Sequence, residues 1–204
     1  MTSPPMIAPT MENIVVRATW LDVKWFAGTI VLCTFVWIGA QLWTVNRMKV
    51  LIVKLSSLGD VVHAMPAVQD IRAAHPDAVI DWVVEPAFAP LVRRVAGVHR
   101  VIECSLRRWR RGWWMPSVRA EWRAFRAALQ QEQYDAIIDL QGLTKSALVA
   151  RLARGTRFGL GNQTEGSSYE APAGWLVDHA IRVEPHIHAM DRSRALVAAV
   201  LGKP

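Results

Sequence analysis

Cysteine is nearly absent. Cys33 and Cys104 are too few and too far apart for a disulfide framework or a metal-ligand spacing, and they suit a reducing compartment. No G-x-G-x-x-G and no G-x-x-x-x-G-K-[ST] occurs, so the dinucleotide-binding and P-loop fingerprints are missing. Internal repeats and low-complexity tracts are missing too. Acidic residues are in deficit, 17 against 24 Lys and Arg, which gives a net charge of +7 and a pI near 10.1. Such a balance favours acidic partners: phosphorylated ligands, anionic lipid surfaces or nucleic acid.

Apolar residues are plentiful at 52% of 204, enough for one well-buried domain with an appendage. The stretch 25–43, WFAGTIVLCTFVWIGAQLW, carries no charge. As a helix it would extend about 28 Å, close to the thickness of a bilayer core. Lys24 on one side and Arg47 with Lys49 on the other give a faint orientation signal. Two readings stand: 25–43 is a transmembrane helix, or 1–47 is an extension upstream of a start at Met48.

From Met48 onward strand and helix signals alternate. Apolar, β-rich runs fall at 49–54, 79–84, 100–103, 136–140 and 180–183, and helical patterns at 61–74, 86–94, 117–132, 143–153 and 187–201. Near-continuous apolar strands separated by helices predict an α/β fold, a doubly wound parallel-sheet Rossmann-like domain over 48–204.

In such sheets ligands bind beyond the carboxyl ends of the strands. The loop Ser56-Ser57-Leu58-Gly59-Asp60 falls there, directly after the first strand. Gly59 suits a close backbone approach or a sharp turn. Ser56 and Ser57 offer donors for phosphate or sugar oxygens. Asp60 is the loop's one carboxylate and has two possible roles, general base or cap of the following helix. Lys54 reads as a strand-end lysine in water. A second strand ends at Asp139-Leu140-Gln141-Gly142, which turns Gln141 and Lys145 toward the same cleft, with Gly142 at the bend.

Between 107 and 126 stand seven arginines against Glu121 alone. Arg107, Arg108, Arg110 and Arg111 alternate with tryptophans in RRWRRGWW. Arg119, Arg123 and Arg126 flank an apolar stripe of Val118, Trp122, Phe125 and Leu129. A solvated basic face is the plainest account, but seven guanidinium forks exceed what solubility needs and point to an anion. Trp109, Trp113 and Trp114 suit base stacking or a membrane interface. His186 and His188 lie near Asp191 without a third ligand, so they read as start-of-helix residues rather than a metal site. The run 162–168, NQTEGSS, reads as an exposed, mobile loop.

Taken in order, MKVLIVKLSSLGDVVHAMPA, IDWVVE, RRWRR with EWRAFRAAL, and YDAIIDLQGLTKSALVARL resemble the lipopolysaccharide heptosyltransferases of the ADP-heptose glycosyltransferase family. The resemblance runs from Met48 to about Pro204. It implies the N-terminal, acceptor-binding half of a two-domain GT-B enzyme that acts at the cytoplasmic face of the bacterial inner membrane. The implied reaction moves L-glycero-D-manno-heptose from ADP-heptose to Kdo of the lipopolysaccharide inner core, with inversion. Asp60 takes the place of the family's catalytic base. Ser56, Ser57, Gly59, Arg107, Arg108, Arg110, Arg111, Gln141 and Lys145 stand as substrate-binding residues. The implied partners are Kdo-lipid A, ADP-heptose and the membrane surface, not nucleic acid, with no cofactor and no metal. Because the resemblance stops where the family's linker begins, the C-terminal donor domain is expected to be absent and the 204-residue chain inactive alone. The alternative is a membrane-tethered module, or an inactive remnant, that holds anionic glycolipid without turnover.

Overall fold

The computed structural model describes residues 47–202; the apolar segment 25–43 lies outside them. Six strands form one sheet: β1 (Lys49–Val53), β2 (Val79–Val84), β3 (Val98–Glu103), β4 (Gln133–Asp139), β5 (Arg154–Leu160) and β6 (His179–Ile181). Their spatial order is β3-β2-β1-β4-β5-β6 and every pairing is parallel. The helices are α1 (Leu58–Ala74), α2 (Ala89–Val92), α3 (Leu106–Gly112), α4 (Pro116–Gln130), α5 (Thr144–Ala150), α6 (Ala171–Trp175) and α7 (Ala189–Val200).

The unbroken apolar runs of β1, β2 and β4 follow from this layering, because both faces of the sheet are covered. Val50, Ile52 and Trp82 pack under α1 and α7, whereas Leu51, Val53 and Ile137 pack under α4 and α5. Truncating a fully buried isoleucine such as Ile52 to alanine would cost about 2–5 kcal/mol. Trp82 meets its one polar need by donating its Nε1–H to the Lys54 carbonyl at 3.2 Å.

Toward the amino ends of the strands one carboxylate is buried. Asp81 accepts from Tyr134 Oη at 2.6 Å and from Arg100 Nε and Nη2 at 3.0 and 2.7 Å. Burial first, then the Asp81 carboxylate, push the Tyr134 phenol well above its ordinary pKa.

Four local expectations are corrected. The strand β5, RGTRFGL, was not expected. Two glycines and two arginines hide its pattern, and only its last two residues are buried. The helix expected at 86–94 is a single turn, Ala89–Val92. The arginine run 106–112 is itself helical, as α3. The last strand starts one residue earlier than expected, at His179. Among the described residues no helix is long and apolar enough to cross a membrane.

Candidate functional site

β1 and β4 lie side by side, with Val53 opposite Asp139. From there the chain turns to opposite faces of the sheet, into α1 and α5, so a crevice opens between the two strand ends. It holds a cavity of about 260 Å³ whose walls include Lys54, Ser56, Ser57, Asp60, Lys145 and Arg192.

Asp60 occupies the third position of α1 and reaches back to Ser57, the residue before the helix. Its Oδ2 accepts from the Ser57 amide and the Ser57 hydroxyl, both at 3.1 Å. Asp60 therefore does cap the helix. Its Oδ1 faces Lys54 Nζ at 3.8 Å. Burial alone would raise its pKa, but the Lys54 ammonium, the two Ser57 donors and the positive charge of Arg192 outweigh burial and hold the carboxyl below its ordinary value. The result is an ionised carboxylate at the cavity wall, able to accept a proton.

Lys54 is not a lysine in water. It is 3% exposed, and its Nζ donates to the Leu140 carbonyl at 3.1 Å. Burial pushes its pKa down, and Arg192 adds to this; Asp60 and Asp139 oppose the shift. Gly59 also departs from expectation. It lies inside α1 without a positive φ, and a Cβ there would meet nothing within 4 Å, so no sharp turn requires it. Gly142, at φ +74°, is the turn glycine.

Gln141 lines the cavity but its amide is engaged elsewhere. Oε1 accepts from the Leu55 and Ser56 amides at 2.8 and 3.3 Å, and Nε2 donates to the Ser56 carbonyl at 2.6 Å. The β4 turn thus holds the β1 loop in place. Beneath it Asp139, 1% exposed, accepts from the Gln141 and Gly142 amides at 2.9 and 3.4 Å and from Ser146 Oγ at 2.9 Å. Burial raises the Asp139 pKa to about 6 against these donors.

Arg192 was missed by reading the sequence. It belongs to the buried stripe Arg192, Ser193, Leu196 and Val197 of α7, and an arginine on an apolar stripe is the signal that was available. Its Nη1 donates to Thr164 Oγ1 at 3.0 Å and to the Glu165 carbonyl at 3.5 Å. The run 162–168 is mostly exposed, as expected, but its one buried residue, Thr164, is anchored by this contact, and Gly166 and Ser168 line the cavity.

A second cavity, about 470 Å³, adjoins the first through Lys145, which lines both. Its other walls are Leu106, Trp109, Trp113 and Trp122, with Arg107, Arg110 and the carboxylate of Glu85. Trp109 is a core residue rather than a stacking platform. It is 5% exposed, donates to Glu121 at 3.3 Å, and meets Trp122 edge-on at 5.3 Å. Trp113 and Trp114 are 51% and 73% exposed. Arg108 is neutralised by Glu121 through bonds of 3.1 and 2.8 Å, and Arg107 lies 3.6 Å from Glu85. Arg110 and Arg111 have no acidic partner within 4 Å among the described residues. His188 caps α7 through Nδ1, with the Met190 amide at 3.4 Å, and His186 lies 3.4 Å from Glu165.

Residues 122–204 match the family model described as glycosyltransferase family 9 (heptosyltransferase). Lipopolysaccharide heptosyltransferase 1 of Escherichia coli K12 is 47% identical over 156 residues, 76% of this chain and 48% of that protein. The described domain is similar to the heptosyltransferases of glycosyltransferase family 9. Lipopolysaccharide heptosyltransferase 1 of Pseudomonas aeruginosa is 40% identical over 157 residues, 77% of this chain and 44% of that protein. Among solved structures, E. coli heptosyltransferase WaaC with ADP-2-deoxy-2-fluoro heptose superposes with a TM-score of 0.71 at 43% identity, over 77% of this chain and 49% of that one. The chain spans about half the length of the curated heptosyltransferases it matches.

Proposed function

We propose that this domain is the acceptor half of an inverting heptosyltransferase. It presents Kdo of the lipopolysaccharide inner core to ADP-L-glycero-D-manno-heptose. The observation that carries the reading is Asp60, held ionised at a cavity that opens through Lys145 onto an arginine- and tryptophan-lined pocket. A hydroxyl of the Kdo sugar attacks the anomeric carbon of heptose from the face opposite ADP. The new C–O bond forms as the C–O bond to phosphate breaks, ADP departs, and the hydroxyl proton passes to an Asp60 oxygen. A base of this kind contributes about 10²–10⁴ in rate. The reading needs no cofactor and no metal: the proton goes to a carboxylate, and cationic groups meet the charge of the leaving diphosphate.

The arginines of α3 suit the phosphates of lipid A. Trp113, Trp114 and Met115, all exposed beside them, suit the interface of an anionic leaflet. This supports action at the cytoplasmic face of the inner membrane. In the proposed layout 48–204 is the acceptor domain, and the donor pocket is supplied by a second domain. The test joins residues 48–204 to the donor half of the E. coli relative and measures heptose transfer to Kdo-lipid A. Transfer by the chimera and none by the 204-residue chain alone is the expected result. Glycolipid binding without transfer in the chimera would favour a binding module instead.

A further inference from the structure

The acceptor's phosphates suit the arginines of α3; those of α4 are left over. Arg119, Arg123 and Arg126 recur every three or four residues and so form one row along the helix. All three are exposed, and none has an acidic partner within 4 Å among the described residues. The helix carries a single carboxylate, Glu121, and that is bound to Arg108 and Trp109. Arg123 donates its Nε–H to the Arg119 carbonyl at 3.3 Å and makes no other side-chain hydrogen bond among the described residues. Like charges at this spacing repel, so the row weakens α4 unless something outside the domain meets it.

The other side of α4 limits what that something is. Val118, Phe125 and Leu129 are buried in the core, so the helix cannot offer its apolar stripe to a partner. Its outer face meets a charged surface at the level of the charges. At the start of the helix the chemistry changes: Trp113, Trp114 and Met115, directly before Pro116, are three consecutive large apolar side chains, all exposed. Apolar groups at one end and a row of cations along the rest match a planar boundary. There aromatic rings enter among headgroups, and guanidinium forks meet phosphates. Single-stranded nucleic acid is gripped differently, by aromatics interspersed along a basic groove so that successive bases stack.

We infer that the outer face of α4, with the Trp113–Met115 corner, is a docking surface for an anionic phospholipid bilayer. The contact is with bulk headgroups such as phosphatidylglycerol and needs no lipid A. Its use in catalysis rests on the heptosyltransferase reading above; the surface itself rests on Arg119, Arg123, Arg126 and the corner. Since the apolar side of α4 is already in the core, the contact is mainly electrostatic, reversible and sensitive to salt. The corner joins α4 to α3, so docking of one brings the pocket of the other to the membrane. Capture of a membrane-anchored acceptor then becomes a local search.

The experiment measures co-sedimentation of the full 204-residue chain with equimolar phosphatidylcholine–phosphatidylglycerol vesicles and with phosphatidylcholine vesicles, both free of lipid A. Partition of the uncharged 25–43 stretch is common to every variant, so the preference for anionic vesicles is the readout. Each arginine near an anionic leaflet is worth about fivefold in binding. Arg119→Gln with Arg123→Gln and Arg126→Gln should therefore lower the preference by at least about tenfold. The control is Arg72→Gln with Arg94→Gln and Arg182→Gln, three exposed arginines whose sequence neighbours pack on the other face of the sheet. It removes the same charge and should lower the preference by less than about threefold. Melting curves show whether each variant folds, and the single variants decide if the α4 triple does not. Equal losses in the two triples would overturn the inference, as would an unchanged preference or one that rising salt leaves intact. Tighter binding to a single-stranded oligonucleotide than to the anionic vesicles, lost in the α4 triple, would overturn it in favour of nucleic acid. A chimera carrying the α4 triple should still transfer heptose to detergent-dispersed Kdo-lipid A; loss of that transfer alone would assign the row to the acceptor and also overturn it. Docking that behaves as expected in a chimera unable to transfer heptose would sink the reaction and leave the surface standing. Transfer without α4-dependent docking would do the reverse.

Discussion

The side-chain amide of Gln141 holds both sides of the β1 loop: Nε2 donates to the Ser56 carbonyl at 2.6 Å while Oε1 accepts from the Leu55 amide at 2.8 Å. One residue of the β4 turn thus fixes where Ser57 and Asp60 begin. Gln141→Ala leaves buried backbone groups unpaired and should cost about 2–3 kcal/mol. Gln141→Glu keeps the acceptor but sets a carboxylate oxygen against the Ser56 carbonyl, and should cost a similar amount. Urea denaturation measures both, and two variants as stable as the native chain would show that the clamp is idle.

Asp60 combines a structural and a chemical role that one substitution can separate. Asparagine can still accept the Ser57 amide, so Asp60→Asn should change stability by less than about 1 kcal/mol. It cannot take up the proton, so heptose transfer by the chimera should fall about 10²–10⁴-fold. Undiminished transfer would refute the assignment.

The two buried-side carboxyls respond to pH in opposite senses. Asp60 is held below its ordinary value, so it takes up a proton only under about pH 4, and its contribution to stability and to transfer is lost there. Transfer should therefore show no acid limb from Asp60 between pH 5 and 8. Asp139, raised to about 6, keeps a proton in the folded state that the unfolded chain has released above about pH 4. Its contribution is complete below that pH and is lost as pH rises through 6. Asp139→Asn does not titrate, so the native chain should hold a larger advantage over it at pH 4.5 than at pH 7.5. A gap that grows with pH in paired denaturation curves would contradict this.

The four arginines of α3 should not be equal. Arg108 is already paired with Glu121, whereas Arg110 and Arg111 have no acidic partner in reach among the described residues. Arg110→Gln with Arg111→Gln should weaken binding to vesicles containing lipid A, the more so at low salt, with little change in melting temperature. Arg108→Gln should weaken it less. Equal losses would mean that proximity to Glu121 does not neutralise Arg108.

Legibility in the sequence tracked burial. β1, β2 and β4 are apolar on both faces and were readable as a parallel sheet. β5 was not, because Arg154, Gly155, Arg157 and Gly159 mask a strand that is buried only at its end. Asp60, Ser56, Ser57 and Lys145 were legible since a strand-to-helix turn puts them within a few residues of one another or of a strand end. Lys54 and Arg192 needed the fold. A lysine at a strand end reads as solvated until a neighbouring turn covers it. The meaning of an arginine on α7 depends on Thr164, 28 positions away. The one-turn α2 shows the converse, a helical pattern cut short where the chain must return to the sheet.

The Asp81 network lies at the far end of the same sheet from the cavity. There a buried negative charge is met closely by Arg100, so that end is electrically self-contained. At the cavity end three cations stand against one carboxylate, and α1, α5 and α7 begin there with their positive dipole ends. The domain is polarised along its strands. An anion diffusing nearby is drawn toward the cavity end before it touches any residue, and the capture rate of a charged glycolipid should depend on ionic strength more steeply than its residence time.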